Sequence, residues 1–150
     1  DAGADYIVTQ MFFDNQKYFQ FVEAAKKEGI NVPIIPGLKP IAVKRHLQLL
    51  PQFFSIDLPE SLISAVESCK TNKDVRQVGI EWAIQQSKEL ISKGAPVVHF
   101  YSMGKSDNIK AIAKEIAETK EEKRKASAGT GTSLSELRAA IDLLDIEQVD

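Results

Sequence analysis

Short apolar runs alternate with longer amphipathic segments along most of the chain. Three runs end in polar or turn residues, which is typical of strands buried on both faces. The segments between them repeat apolar residues every three to four positions, which predicts helices. The predicted strands span residues 6–10, 32–37 and 96–102. The predicted helices span residues 16–28, 42–50, 60–67, 74–93 and 108–117.

Several residues mark where these helices begin and end. Asn15 is a candidate cap of the first helix, Asp14 could instead cap that helix or bind a ligand, and Gly29 is expected to end the helix. Pro51 is expected to stop the second helix, because proline disrupts a helix interior. Residues 53–59 are either a short strand or an extended connector.

Each predicted strand is followed by a helix, and this order favours a parallel sheet in an α/β fold. A (β/α)₈ barrel needs about 250 residues. Residues 1–117 therefore amount to about half of such a TIM barrel. Half a barrel leaves open sheet edges, so we expect pairing with a missing half or a homo-oligomer.

The composition changes after residue 117. Residues 118–133 are first charged and then rich in Gly, Ser and Thr, which predicts a linker. Residues 134–150 are again amphipathic, with Ser133 and Glu136 spaced as a capping box, so we predict an extra helix. The chain also begins without Met, in a segment that resembles a turn into the first strand. We expect it to be a fragment of a larger domain.

The charge and cysteine content exclude several classes of function. The net charge of −2 gives no electrostatic case for nucleic acid or an anionic membrane. No apolar run approaches the roughly 20 residues that span a bilayer. The single cysteine, Cys69, excludes an internal disulfide and favours a reducing, cytoplasmic location. No histidine or cysteine spacing is typical of a metal site.

Gln10 is the main candidate for ligand binding, because it lies where the first predicted strand ends. Its amide offers donors and an acceptor, which suits a pterin or a nicotinamide carboxamide, but it could also cap a loop. Tyr101 and Lys105 flank the end of the last strand. Each could contact a ligand; otherwise Tyr101 would pack at the sheet edge and Lys105 would be a solvated loop charge. His46 faces either solvent or the barrel mouth, and His99 is expected to be a core histidine.

Three motifs resemble the second half of a bacterial methylenetetrahydrofolate reductase. They are Thr-Gln-Met-Phe-Phe-Asp at residues 9–14, Pro-Ile-Ile-Pro-Gly-Leu-Lys-Pro-Ile at residues 33–41, and Val-His-Phe-Tyr-Ser-Met at residues 98–103. The resemblance implies the C-terminal half of a flavoprotein (β/α)₈ barrel. In that family FAD takes hydride from NAD(P)H and passes it to 5,10-methylenetetrahydrofolate, giving 5-methyltetrahydrofolate for one-carbon metabolism and methionine biosynthesis.

The resemblance also implies roles for individual residues. Gln10 matches a glutamine that contacts both folate and nicotinamide. His46 falls on a folate-contacting position where many bacterial members have Gln, and Leu50 falls on a stacking aromatic. Tyr101 lies within the last motif, at the end of its strand, as a substrate contact, and Lys105 replaces a common Arg near the folate glutamate tail. The family's general-acid Glu and most FAD contacts match no residue here, so no catalytic residue is assigned and the chain alone is expected to be inactive.

Two other hypotheses remain open. The chain could be a non-catalytic half-barrel that dimerises through its open edges, or another α/β-barrel enzyme. Residues 134–145 also resemble the opening of the first helix of an all-helical chorismate mutase, with Arg138 at the position of a catalytic Arg. That likeness would make the chain a hybrid or truncated protein.

Overall fold

The structure, a computed structural model, describes residues 3–102 and 106–126, which form three strands and five helices. The elements in chain order are β1 (Ile7–Met11), α1 (Asn15–Lys27), β2 (Ile34–Leu38), α2 (His46–Phe54), α3 (Glu60–Ser68), α4 (Asn72–Ser92), β3 (His99–Phe100) and α5 (Asp107–Ala126). Residues 53–59 form no strand: the first two end α2, and the others are an irregular connector before α3.

The strands form one sheet in the order β1-β2-β3, and both pairings are parallel. The predicted parallel α/β arrangement is therefore confirmed. β1 and β3 are the edge strands of this sheet in the described part of the chain. Pairing of β1 with β2 starts at Ile7 with Ile34 and reaches Met11 opposite Gly37, so β1 carries one extra residue in a bulge after Val8.

Two apolar clusters hold the helices to the sheet. One joins the end of β1 to α2, α3 and the first half of α4, through residues such as Met11, Leu50, Leu62 and Val75. The other packs α1 and the second half of α4 on β2 and β3. Burial of this kind is worth about 25 cal/mol per Å² of apolar surface, so it outweighs local propensity in fixing the helices.

Helix α4 approaches the connection after β2 very closely. A Cβ atom at Gly79 would lie 1.9 Å from the backbone oxygen of Ile41. Only glycine fits this contact, because the neighbouring atom is backbone and cannot move aside cheaply. The contact fixes the segment after β2 against the first half of α4, where Arg76 lies one turn before Gly79.

The helix boundaries decide between two candidate caps and correct two expectations. Asp14 is the cap of α1: its side chain accepts a hydrogen bond from the Gln16 N–H at 2.9 Å. Pro51 lies inside α2 instead of ending it, and the helix continues to Phe54 because Leu47, Leu50 and Phe54 pack into the core. The helix predicted to end at residue 117 continues to Ala126, as its Glu and Lys residues have high helix propensity.

Residues 127–150 lie outside the described residues, so the predicted linker beyond 126 and the predicted helix over 134–150 remain predictions. None of the described helices is both long and apolar enough to cross a bilayer.

Candidate functional site

The carboxyl ends of all three strands are tied together by side chains. The Thr9 hydroxyl oxygen accepts a hydrogen bond from the Gly37 N–H at 3.0 Å. The Tyr101 hydroxyl donates to the Thr9 carbonyl oxygen at 2.9 Å. A Cβ atom at Gly37 would lie 2.5 Å from that same carbonyl oxygen and 2.7 Å from the Tyr101 ring, so the position requires glycine. Tyr101 therefore acts as a clamp across the strand ends.

Gln10 lies in the bulged part of β1 and is exposed. Its Oε1 accepts a hydrogen bond from the Met11 N–H at 3.0 Å. Bulges leave backbone groups unpaired and redirect side chains, and here the glutamine satisfies one such group itself. The amide nitrogen of Gln10 makes no hydrogen bond to the described residues, so its two donors remain available to a ligand.

A groove of about 520 Å³ runs along the outer side of β1, next to Gln10. Its lining is largely apolar or aromatic and includes Val8, Phe12, Phe21, Phe54 and Ile56. An apolar floor beside an amide is the environment that a flat heteroaromatic ring requires.

The groove fits only part of a dinucleotide cofactor. Lys17 is the one basic residue in its described lining, and its Nζ already forms an ion pair with Asp57. The groove therefore offers a ring a place to stack and an amide to bond, but no basic cradle for the diphosphate of FAD. Among the described residues, no group of His, Cys, Asp and Glu is arranged to hold a metal ion.

A second cleft, of about 220 Å³, lies between the segment after β2, the first half of α4 and the start of α5. Titratable residues of its lining are Lys39, His46, Arg76, Tyr101 and Asp107. Lys39 follows β2 directly, so the cleft lies at the carboxyl end of that strand, where α/β folds bind ligands.

His46 is half-buried in this cleft, and its Nδ1 accepts a hydrogen bond from the Ala42 N–H at 3.2 Å. That nitrogen is therefore unprotonated, and the neutral ring carries its proton on Nε2. Burial, and then the charge of Lys39, lower the pKa of His46 below its ordinary value. At neutral pH the histidine offers a ligand one N–H donor and no positive charge.

Lys39 is 6% exposed and forms no hydrogen bond or ion pair with any described residue. Burial lowers the pKa of its ammonium group. Lys39 was not among the predicted site residues. The signal that could have pointed to Lys39 is its place directly after an apolar strand. Lysine is almost never buried without a partner in an ordinary core, so a lysine there suggests a site.

The structure separates the other predicted site residues. Leu50 is 3% exposed and belongs to the core cluster around Met11 and Leu62, so its predicted ligand contact remains a prediction. Lys105 lies outside the described residues. His99 is exposed, with its ring 4.7 Å from that of Tyr101, so the expected core histidine is wrong. The reason is that β3 is a two-residue edge strand.

Comparison with known proteins identifies a family. A model of methylenetetrahydrofolate reductase matches residues 1–117. A probable methylenetetrahydrofolate reductase (NADPH) of Caenorhabditis elegans is 32% identical over 118 residues, which cover 77% of this chain and 18% of the relative. Methylenetetrahydrofolate reductase (NADH) 1 of Arabidopsis thaliana is 36% identical over 104 residues, covering 69% of this chain and 18% of the relative.

A bacterial relative covers a larger share of its own length. The 5,10-methylenetetrahydrofolate reductase of Buchnera aphidicola is 30% identical over 113 residues, 75% of this chain and 39% of the relative. The chain thus spans less than half the length of each of these relatives. The family match excludes the hypothesis that the chain comes from a barrel enzyme of another family. Residues 134–150, which resemble a chorismate mutase helix, lie beyond the match.

Proposed function

This chain belongs to the methylenetetrahydrofolate reductase family, and we propose that it forms the second half of a (β/α)₈ barrel that reduces 5,10-methylenetetrahydrofolate. The order of strands and helices and the parallel sheet support this proposal. The two edge strands provide the places where the rest of a closed barrel would pair. We also propose that the protein is located in the cytoplasm.

The bound FAD would supply a flavin ring that takes hydride from NAD(P)H and gives it to the folate, producing 5-methyltetrahydrofolate. The residues of this chain would bind and orient the two substrates in turn. Related proteins are named for NADPH or for NADH, so the family leaves the nicotinamide preference of this chain open.

The observation that carries the proposal is the free amide nitrogen of Gln10 beside an apolar groove at the end of β1. A nicotinamide carboxamide and a pterin ring both present an amide-like edge with a donor and an acceptor. One glutamine can therefore bond each of them in the same place. Exact placement of both rings would contribute to the rate by holding them in near-attack geometry.

The remaining predicted contacts would act around Gln10. His46 would donate its Nε2–H to the folate, and Tyr101 would hold the strand ends in place through Thr9. Leu50 and Lys105 are proposed as an apolar contact and as a charge for the folate glutamate tail. None of these residues is a general acid, so we expect the 150 residues alone to show no turnover. We expect them to bind FAD weakly, because the described lining of the groove has no basic cradle for its diphosphate.

The test is Gln10→Glu in a complete reductase that contains these residues. The change removes both amide donors and adds a negative charge beside the ring. Stopped-flow absorbance at the flavin band should show slower flavin reduction by NAD(P)H and slower reoxidation by the folate, each by about tenfold or more. Gln20→Glu, on the exposed face of α1, is the matched control and should leave both rates unchanged. Loss in neither half-reaction, or in one only, would contradict the shared role.

A second candidate function is a non-catalytic module that assembles through its open edge. The side chains of Tyr6 and Phe21, exposed by 59% and 50%, favour it because they belong to the region around β1. Size-exclusion chromatography with flavin absorbance separates the two candidates. The module is favoured if the chain elutes as a homo-oligomer without flavin absorbance, and if that absorbance is still absent after the rest of the reductase is added.

A further inference from the structure

The bulge of β1 places Thr9 and Gln10 opposite a single residue of β2, Pro36. Proline has no N–H, so β2 offers β1 no backbone donor at this residue. A bulge also interrupts the regular ladder of hydrogen bonds, and its residues are held less firmly by the sheet than paired residues are. The orientation of Gln10 therefore depends on contacts other than regular strand pairing.

Thr9, the residue before Gln10, is bonded at both its hydroxyl and its carbonyl group. Its Oγ1 accepts a hydrogen bond from the Gly37 N–H at 3.0 Å, and its carbonyl oxygen accepts one from the Tyr101 hydroxyl at 2.9 Å. That carbonyl belongs to the planar peptide group that joins Thr9 to Gln10. Because the plane of this peptide group limits the direction of the Gln10 side chain, both hydrogen bonds orient the glutamine.

The Tyr101 hydroxyl is itself held in a fixed position. The Tyr101 N–H donates to the Leu38 carbonyl oxygen at 2.8 Å, and the side chain packs against the core cluster that contains Leu50. Burial raises the pKa of the Tyr101 hydroxyl above its ordinary value, so at neutral pH the hydroxyl stays protonated and remains a donor. A side chain fixed in this way can act on a strand end without touching a ligand.

We propose that Thr9 and Tyr101 are positioning residues for the reaction, and that they act through the peptide group between Thr9 and Gln10. This inference rests on the proposed function of Gln10. The two residues hold the Gln10 amide in one arrangement, in which Oε1 is bonded to the Met11 N–H and Nε2 is left for a substrate. An amide that is already oriented loses less conformational entropy when each substrate binds.

The first experiment follows amide hydrogen exchange by NMR in the 150-residue chain. The Met11 N–H donates to the Gln10 Oε1, so its exchange rate reports on the orientation of that side chain. Thr9→Val and Tyr101→Phe nearly keep the shape of each side chain and remove its hydroxyl. We expect each to speed exchange at Met11 by about fivefold, because one hydrogen bond is lost. Thr9→Ser keeps the hydroxyl and should exchange as the parent chain does.

Two control variants lose the same kind of hydrogen bond elsewhere in the fold. The Ser87 hydroxyl donates to the Ala83 carbonyl oxygen at 2.7 Å inside α4, and the Thr119 hydroxyl donates to the Glu115 carbonyl oxygen at 2.9 Å inside α5. Ser87→Ala and Thr119→Val should leave exchange at Met11 unchanged. If a general loss of stability were the cause, the buried Ser87→Ala would speed that exchange as well.

The second experiment measures both flavin half-reactions in a complete reductase that contains these residues. Thr9→Val and Tyr101→Phe should each slow flavin reduction by NAD(P)H and reoxidation by the folate by about fivefold at saturating substrate. In a protein that already carries Gln10→Ala, the same two changes should cause no further loss, because they act through the glutamine. A merely structural role would slow both reactions equally with and without Gln10→Ala.

The outcomes separate the positioning role from the proposed function. Unchanged exchange at Met11 in Thr9→Val and Tyr101→Phe would overturn the positioning role, and so would an equal further loss after Gln10→Ala. If Gln10→Ala slows both half-reactions while the other two changes slow neither, only the positioning role fails. If Gln10→Ala slows neither, the proposed function of Gln10 fails and the positioning role fails with it. Tyr101→Phe removes a single oxygen atom, so it carries the test alone if Thr9→Val does not fold.

Discussion

Two polar groups of residues adjoin α4, and they differ in how completely they are bonded. Beneath the loop after β1, the Asn15 Nδ2 donates to the Gln86 carbonyl at 3.1 Å and to the Glu89 carboxylate at 2.7 Å. Gln86 returns a hydrogen bond from its Nε2 to the Asn15 Oδ1 at 3.1 Å. In the cleft after β2, by contrast, Lys39 is just as buried and has no described partner.

The two groups differ in what surrounds their polar atoms: Asn15, Gln86 and Glu89 bond one another, whereas the Lys39 ammonium meets solvent in the second cleft. The Asn15–Gln86–Glu89 network connects α1 to α4 and leaves no buried group unsatisfied, so it contributes to stability without needing a ligand. Hydrogen bonds from Lys93 and then from Asn15 lower the pKa of Glu89. In the cleft, burial and then the charge of Lys39 lower the pKa of His46. The lowered pKa of Glu89 favours its charged form, whereas the lowered pKa of His46 disfavours its charged form.

The largest effect is expected from Asn15→Leu, which keeps the number and branching of the side-chain heavy atoms but has no polar atoms. It leaves the buried Gln86 amide and a carboxylate oxygen of Glu89 without these partners. We expect the free energy of unfolding to fall by about 2 kcal/mol in urea denaturation. Asn31→Ala, at an exposed position with one local hydrogen bond, should change it by less than about 0.5 kcal/mol.

A double substitution sharpens this result. Asn15→Leu with Gln86→Leu removes both partners of the side-chain pair, so the combined loss should be smaller than the sum of the two single losses. Simple additivity of the losses would contradict the account of Asn15 and Gln86 as one mutually bonded unit.

A smaller effect is expected from His46 as the pH falls. Its pKa is lowered in the folded chain, so between the unfolded value, about 6.5, and the lower folded value the unfolded chain binds a proton that the folded chain does not. Stability should therefore decrease as the pH falls through that window, by at most about 1.4 kcal/mol per pH unit. The difference between urea curves of the parent chain and His46→Gln isolates this contribution from the carboxyl groups.

Lys39 should modulate that pH dependence. Its charge is the second cause of the lowered pKa of His46, so Lys39→Met should make the decrease shallower. His99→Gln is the control and should leave the decrease unchanged, because its ring lies outside the cleft. An unchanged slope in His46→Gln would show that another group titrates in this range.

Much of the fold follows from local patterns in the sequence. The buried strands and the amphipathic helices were predicted because periodicity reports directly on which face is buried. Asp14 and Asn15 were both candidate caps, and the sequence could not decide between them, because the choice depends on the distant partners of Asn15, which are Gln86 and Glu89. Pro51 was misjudged for a similar reason: packing of neighbouring Leu50 outweighs one missing hydrogen bond.

The candidate site was likewise predictable only in part. The place of Gln10 at a strand end followed from the end of an apolar run, but its bond to the Met11 N–H depends on a bulge that only the pairing of β1 with β2 reveals. Lys39 was missed because a lysine in a sequence is normally exposed. Its burial depends on the close contact of α4 with the segment after β2, which no local pattern encodes.

The most direct measurement of the contrast between the two polar groups is the free energy of unfolding of Lys39→Met. Because most of the Lys39 side chain is buried and its charge is partly desolvated without a described partner, Lys39→Met should raise the free energy of unfolding by about 1 kcal/mol in urea, while Lys27→Met changes it little. A free energy of unfolding that is unchanged or lower in Lys39→Met would contradict the account, because Lys39 would then be a structural residue.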